Sequence, residues 1–365
     1  MGKRVIISGG GTGGHIFPAV AIADALKRIA PDTEILFVGA NGRMEMEKVP
    51  AAGYKIIGLD IQGFQRSSIV KNILLPFKIL MSLIRSRSII KDFKPDVAVG
   101  VGGYASGPLL YAASLMKVPY LIQEQNSYAG ITNKGLGKNA QRICVAFNGM
   151  EKFFPADKIL ITGNPIRKEA VDIDGKRDDA LKFFGLSSHK KTILVTGGSL
   201  GASTINKSIV AGLDKIEQEG VQLIWQTGRY YYQSINAQMA GIDRPGIRIL
   251  EFLQRMDFAY AAADLIISRA GAGTIAELFS IKKPAILVPS PNVAEDHQTK
   301  NAMALVGNEA AVVVKDSEAE RELLEIAIKL LNDDKKCKKL SENIGKMALP
   351  DADEVIAREV LTIAN

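Results

Sequence analysis

The chain has 365 residues, 47% hydrophobic and 23% charged. That excludes a disordered polypeptide and exceeds one ordinary core, so two domains are expected. Two distant cysteines, Cys144 and Cys337, and three scattered histidines, His15, His189 and His297, exclude a disulfide framework and a conventional zinc site; they suit a reducing compartment. The net charge of +7 is uneven: residues 1–163 carry 20 Lys and Arg against 11 Asp and Glu, the remainder 26 against 28. The first half therefore suits an anionic partner: phosphate, nucleic acid or a membrane surface.

In chain order, Lys3 to Ile7 reads as a buried first strand running straight into Ser8-Gly9-Gly10-Gly11-Thr12-Gly13-Gly14-His15, with no signal peptide before it. Helical periodicity follows from Ala19 to Ile29. Strand, glycine loop and helix aim backbone N–H groups at an anion. Gly9-x-Gly11-x-x-Gly14 fits the dinucleotide fingerprint, but the second strand ends in Gly39-Ala40-Asn41-Gly42, without the carboxylate that would hold a ribose.

Further strands are expected at Ile35–Val38, Lys55–Leu59, Val97–Val101, Tyr120–Gln123, Ile143–Ala146 and Ile159–Thr162. Gly163-Asn164-Pro165 breaks the pattern and a polar stretch, Asp172 to Asp179, follows. The second half restarts with strand Thr192–Thr196, loop Gly197–Ser203 and helix Thr204–Ile216. Strands then recur at Gln222–Trp225, Ile247–Leu250, Leu265–Ser268, Ala285–Val288 and Ala311–Val314, and residues from Glu318 read as helices. The alternation predicts an α/β protein with two doubly wound parallel-sheet domains and a ligand cleft between them. The expected divisions are 1–163, 164–345 and a C-terminal helix, 346–365, packing back on the first domain.

Arg66 to Lys94 mixes cations and apolar residues. Ile73 to Ile84, broken by Pro76 and Lys78, is too short to span a bilayer. If helical, Lys71, Lys78 and Arg85 share a face with Leu74 and Met81, as in a helix lying on an anionic bilayer. The alternative is a crossover helix with Ile73, Phe77, Leu80 and Ile84 facing the sheet. Aromatics are not interleaved with the cations, which argues against nucleic acid.

Other loops at the carboxyl ends of strands are Gly100 to Pro108, Gln123 to Asn126, Ser268 to Glu277 and Glu295 to Gln298. Asp172-Ile173-Asp174 and Asp351-Ala352-Asp353 resemble metal-binding pairs, but neither follows a strand and both read as solvated surface. Asn206 stands where a P-loop needs its second glycine, which excludes a kinase-type site.

Taken together, GGGTGGHIFPAVAIA (Gly9–Ala23), GVGGYASGP (Gly100–Pro108), QEQNSYAGITNK (Gln123–Lys134), TGNPIR (Thr162–Arg167), GGSLGA (Gly197–Ala202) and SRAGAGTIAEL (Ser268–Leu278) resemble the MurG family of N-acetylglucosaminyltransferases over essentially the full length. The resemblance implies a GT-B glycosyltransferase fold and transfer of N-acetylglucosamine from UDP-N-acetylglucosamine to the C4 hydroxyl of lipid I, with inversion, forming lipid II for peptidoglycan. It implies that Arg167 and Ser199 hold the diphosphate and that Leu253 meets uracil. Ala272, Gly273, Thr274 and Ile275 would bring helix N–H groups to the phosphates, and Glu277 would accept from the ribose. Asn126 and Gln298 would read the sugar, while Thr12, Gly13 and Gly14 line the cleft. Gly103, Tyr104 and Ser106, with Lys71, Lys78 and Arg85, would face the acceptor and an anionic membrane. The implied location is peripheral, on the cytoplasmic face of the bacterial inner membrane, in contact with other cell-wall enzymes. Gly273 departs from a larger apolar residue in many relatives, and His297-Gln298 replaces a glutamine-rich stretch in some.

The chemistry needs a base for the acceptor hydroxyl and a positive field for departing UDP. His15, at a helix start whose positive end favours a neutral imidazole, is the expected base. Arg167 and helix N-termini can balance the diphosphate, so neither a cofactor nor a divalent metal is implied. The competing readings are a UDP-N-acetylglucosamine 2-epimerase, which has no use for lipid, and a non-enzymatic sugar-nucleotide sensor.

Overall fold

A computed structural model describes residues 2–63 and 74–365. The chain divides into two compact units, Met1–Ile166 with Leu349–Asn365, and Arg167–Ala348.

The first unit is built on seven strands: β1 (Arg4–Gly9), β2 (Glu34–Ala40), β3 (Lys55–Leu59), β4 (Val97–Gly102), β5 (Tyr120–Glu124), β6 (Arg142–Val145) and β7 (Ile159–Ile161). They form one sheet in the order β3-β2-β1-β4-β5-β6-β7, and all pairs are parallel. β-branched runs suit strands buried on both faces. Val5 and Ile7 face one way and pack with Ile16, Leu26, Ile356 and Val360; Ile6 faces the other and packs with Ile89, Leu109 and Leu110. The chain order reverses between β1 and β4, so their carboxyl-end loops flank a switch point, where open α/β sheets bind ligands.

Several details differ from sequence expectation. The first helix starts at Gly13, not Ala19, and runs to Ile29 through Pro18. Proline lacks the N–H that would pair with the Gly14 carbonyl, so one intrahelical bond is lost in the second turn. The last helix, Ala352–Ile363, lies against the first, and Asp353 is buried with an oxygen 2.6 Å from Arg28 Nη2. It is not solvated surface: the sequence could not show a cation 325 residues away. Asp172 remains exposed, paired to Lys176.

The Leu75–Phe93 helix corrects the crossover reading. Its buried positions are Ser82, Ser86, Ile89 and Ile90. Phe77 (63%), Leu80 (53%) and Ile84 (52%), expected to face the sheet, are exposed, as are Leu74 and Met81. The two serines let the helix sit closely on Ser106–Leu115, and that contact, rather than hydrophobicity, decides which face turns inward. Ile73 and Lys71 lie outside the described residues. Among the described residues, no helix is long and apolar enough to cross a membrane.

The second unit has six parallel strands: β8 (Thr192–Thr196), β9 (Gln222–Gln226), β10 (Ile247–Leu250), β11 (Leu265–Ser268), β12 (Ala285–Leu287) and β13 (Val312–Val313). Their order, β10-β9-β8-β11-β12-β13, puts a second switch point between β8 and β11. Asn206, which breaks the P-loop pattern, is a core residue here. It accepts from Trp225 Nε1–H at 3.0 Å and donates to the Thr227 carbonyl at 2.8 Å.

Candidate active site

In the first unit the loops after β1 and β4 interlock. Gly10 N–H donates to the Gly102 carbonyl at 3.3 Å, and a Cβ at Gly103 would stand 2.3 Å from the Gly10 carbonyl oxygen. His15, in the first turn of the Gly13–Ile29 helix, places Nδ1 3.0 Å from the Gly10 oxygen. A carbonyl only accepts, so Nδ1 carries the proton and a neutral imidazole keeps its lone pair on Nε2. Thr12 is the extended N-cap residue, and helix geometry leaves the N–H groups of Gly13 and Gly14 without intrahelical acceptors.

The loop is less open to anions than its glycines suggest. Glu45 is buried, and its carboxylate accepts from Gly11 N–H at 2.8 Å and Ala40 N–H at 3.0 Å. The dinucleotide fingerprint wants its carboxylate at the end of β2, where this chain has none. The residue lies five positions further on and turns back onto both loops. Arg43 was also missed: its guanidinium stands over the Tyr104 ring at 5.6 Å, and that ring packs beside Gly11. The clue was a run of Arg43-Met44-Glu45 opening a helix directly after a strand end, which puts charges on the sheet's ligand edge.

Of the other residues expected near the acceptor, Gly103 and Tyr104 lie at the loops, Tyr104 44% exposed. Ser106 is fully buried, its hydroxyl where a Cβ on Gly100 would come within 2.7 Å. It supports the loop from beneath. Lys78 is half-buried and donates to Gln62 Oε1 at 3.3 Å, and Arg85 is exposed on the same helix. Asn126 is held by Glu124, which accepts from its backbone and side-chain N–H groups at 3.1 and 3.2 Å, and also from Gly130 N–H and Asn133 Nδ2.

In the second unit, three segments converge on the switch point. The Gly197–Gly201 loop turns through positive φ at Gly198 and Gly201, with Ser199 exposed at its tip. Gln226 ties this loop to the next: its Nε2 donates to the Gly198 carbonyl at 2.9 Å, and its Oε1 accepts Leu253 N–H at 3.0 Å. The Leu253 side chain is buried and its amide is engaged by Gln226.

The helix Ala272–Ile281 has no acidic residue in its first turn. Ile275 is fully buried and its N–H donates to the Gly271 carbonyl. A Cβ on Gly273 would meet nothing within 4 Å. Glu277, one turn on, accepts Tyr260 Oη–H at Oε2, 2.6 Å away. Burial pushes the Glu277 carboxyl above its ordinary value; the tyrosine hydrogen bond and Arg167 pull it back. Gln298 uses Oε1 to accept Ser290 N–H at 2.8 Å. It follows Glu295 and Asp296, both at positive φ, a strained turn at the ligand edge of the sheet. Among the described residues, no cluster of three or more His, Cys, Asp or Glu side chains is gathered as a metal site.

The sequence matches two family models, the glycosyltransferase family 28 N-terminal domain over residues 5–145 and the family 28 C-terminal domain over residues 192–356. The UDP-N-acetylglucosamine--N-acetylmuramyl-(pentapeptide) pyrophosphoryl-undecaprenol N-acetylglucosamine transferase of Bacteroides thetaiotaomicron is 58% identical over 363 residues, spanning 99% of this chain and 98% of that protein. The protein of the same name from Cytophaga hutchinsonii is 53% identical over 362 residues, 99% and 97% of the two chains. The crystal structure of Acinetobacter baumannii MurG superimposes with a TM-score of 0.80 at 30% identity, covering 99% of each chain. A UDP-GlcNAc 2-epimerase from Neisseria meningitidis, crystallised with UDP-GlcNAc, gives 0.65 at 15% identity over 99% and 100%, which shows a shared fold alone.

Proposed function

The chain belongs to glycosyltransferase family 28, among its MurG N-acetylglucosaminyltransferases, and on that premise we propose how each unit serves the reaction. The enzyme transfers N-acetylglucosamine from UDP-N-acetylglucosamine to undecaprenyl-diphospho-muramoylpentapeptide (lipid I), making lipid II. In our reading the acceptor's C4 hydroxyl attacks the anomeric carbon. Its proton passes to His15 Nε2, and the bond to UDP breaks with both electrons leaving on the diphosphate. The observation that carries the assignment is the Nδ1 contact to the Gly10 carbonyl, which obliges a neutral His15 to present an acceptor at Nε2. Gly13 and Gly14 N–H groups and Arg43 supply the positive field for an acceptor diphosphate.

The second unit serves the donor. Ser199, Arg167 and the start of the Ala272–Ile281 helix stabilise the departing diphosphate, the Leu253 carbonyl meets the base, Glu277 accepts from the ribose, and Gln298 donates to the sugar. The outward apolar face of Leu75–Phe93 rests in an anionic bilayer surface. Leu74, Phe77, Leu80, Met81 and Ile84 enter it, and Lys78 and Arg85 stand beside them. Support comes from the exposure of the large apolar side chains Leu74, Phe77, Leu80, Met81 and Ile84, while Ser82, Ser86, Ile89 and Ile90 face the protein.

The test is transfer of labelled sugar from UDP-N-acetylglucosamine to lipid I by wild type and His15→Ala. A general base contributes about 10²–10⁴-fold, so turnover within tenfold of wild type removes His15 from that role. Donor KM should change little.

A further inference from the structure

Tyr260 has no part in the roles assigned above, yet its place is unusual. It lies on the Met256–Ala262 helix, is 1% exposed, and directs its hydroxyl onto Glu277 Oε2 at 2.6 Å. A buried tyrosine hydroxyl needs a partner, and apolar packing alone would be met by phenylalanine. Burial holds the phenol well above its usual range, so it stays protonated and donates. Glu277 differs in being only half-buried. One of its oxygens is thus committed to the interior, and Oε1 is left to accept from a ligand.

We infer that Tyr260 is a positioning residue that fixes the Glu277 carboxylate and thereby sets the enzyme's preference for a ribose over a deoxyribose donor. This rests on Glu277 as the ribose acceptor. A carboxylate free to rotate about its last bond loses a directed hydrogen bond to the ribose 2′-hydroxyl; one held by a short phenolic bond keeps its open oxygen in place before the nucleotide arrives. Arg167 acts on both groups electrostatically and favours the ionised carboxylate.

The experiment compares UDP-N-acetylglucosamine with its 2′-deoxyuridine counterpart as donors for wild type, Tyr260→Phe, Glu277→Ala and the double variant, with lipid I as acceptor. We expect Tyr260→Phe to raise KM for the ribose donor about fivefold to tenfold, the value of one hydrogen bond. It should leave kcat within about twofold and barely alter the deoxy donor. The acid limb of kcat/KM should move to higher pH, because the carboxyl loses a bond that favours its charged form. Glu277→Ala should abolish the ribose preference, and adding Tyr260→Phe to it should then change nothing. If Tyr260→Phe keeps both the preference and the acid limb while Glu277→Ala loses the preference, the inference falls and the ribose assignment stands. If Glu277→Ala keeps the preference, the assignment itself falls. A uniform loss with both donors, or additive losses in the double variant, marks Tyr260 as merely structural and also overturns the inference.

Discussion

The imidazole of His15 fills the space that a side chain on Gly102 would need: a Cβ there would stand 2.7 Å from Cδ2 and 2.9 Å from Nε2. Gly102 also has a φ of +100°, which L side chains rarely adopt. Gly102→Ala should therefore displace the ring and lower kcat about 100-fold, the usual penalty of moving a catalytic group by about an ångström. Donor KM should stay within about twofold. Steady-state kinetics with both substrates varied checks this.

Gly273 is the opposite case. Its Cβ direction is open, and it sits at the second position of a helix with ordinary backbone angles. Gly273→Leu should fold as well as wild type or slightly better, because leucine gains about 0.5–1 kcal/mol over glycine in a helix. Thermal melting and donor KM report the outcome; a melting temperature several degrees lower would contradict the open geometry.

Glu45 makes a different kind of prediction. It satisfies two backbone N–H groups, one at the buried end of β2 and one in the glycine loop, so Glu45→Ala strands Gly11 N–H and Ala40 N–H. The loss should be about 1–3 kcal/mol per unsatisfied group. With the loop loosened, acceptor KM should rise more than donor KM. Chemical denaturation and the two KM values test stability and site separately.

Asp257 links stability to pH. The Arg255 guanidinium beside it lowers its carboxyl from 3.8 to about 2, against the opposing effect of burial. A carboxyl with a depressed folded pKa stabilises the fold above its unfolded value, and the benefit disappears as pH falls through the folded one. Asp257→Asn should thus cost about 1 kcal/mol at pH 7, discounted because the Arg255 side chain is exposed. The difference from wild type should shrink between pH 4 and pH 2, as melting temperatures across that range would register.

On the outward face of Leu75–Phe93, Phe77, Leu80 and Ile84 are each more than half exposed. Replacing all three by serine should leave the melting temperature nearly unchanged, since little packing is lost. Sedimentation with anionic vesicles should fall at least about tenfold, because three apolar side chains would no longer enter the bilayer. Unaltered binding would place the membrane contact elsewhere.

Periodicity and composition were enough to find every strand of both sheets, because each is a short β-branched run bounded by turn residues, and local patterning survives folding when both faces are buried. The glycine loops were equally legible, since a strand–glycine–helix join has few backbone solutions. Contacts between segments distant in sequence were beyond its reach. Glu45 turning onto Gly11, Tyr260 onto Glu277, and Arg28 onto Asp353 depend on where whole helices come to rest.

The clearest division lies in Leu75–Phe93. Its sequence carries two candidate faces, a basic one with Leu74 and Met81 suited to a bilayer and an apolar one with Phe77, Leu80 and Ile84 suited to a sheet, and leaves both readings open. Tertiary packing chose the narrow face of Ser82, Ser86, Ile89 and Ile90, where the two serines let the neighbouring helix approach and the two isoleucines join the core. The residue types thus decided that this segment would be a helix bearing apolar and basic groups; only the packed unit decided which of them would meet solvent.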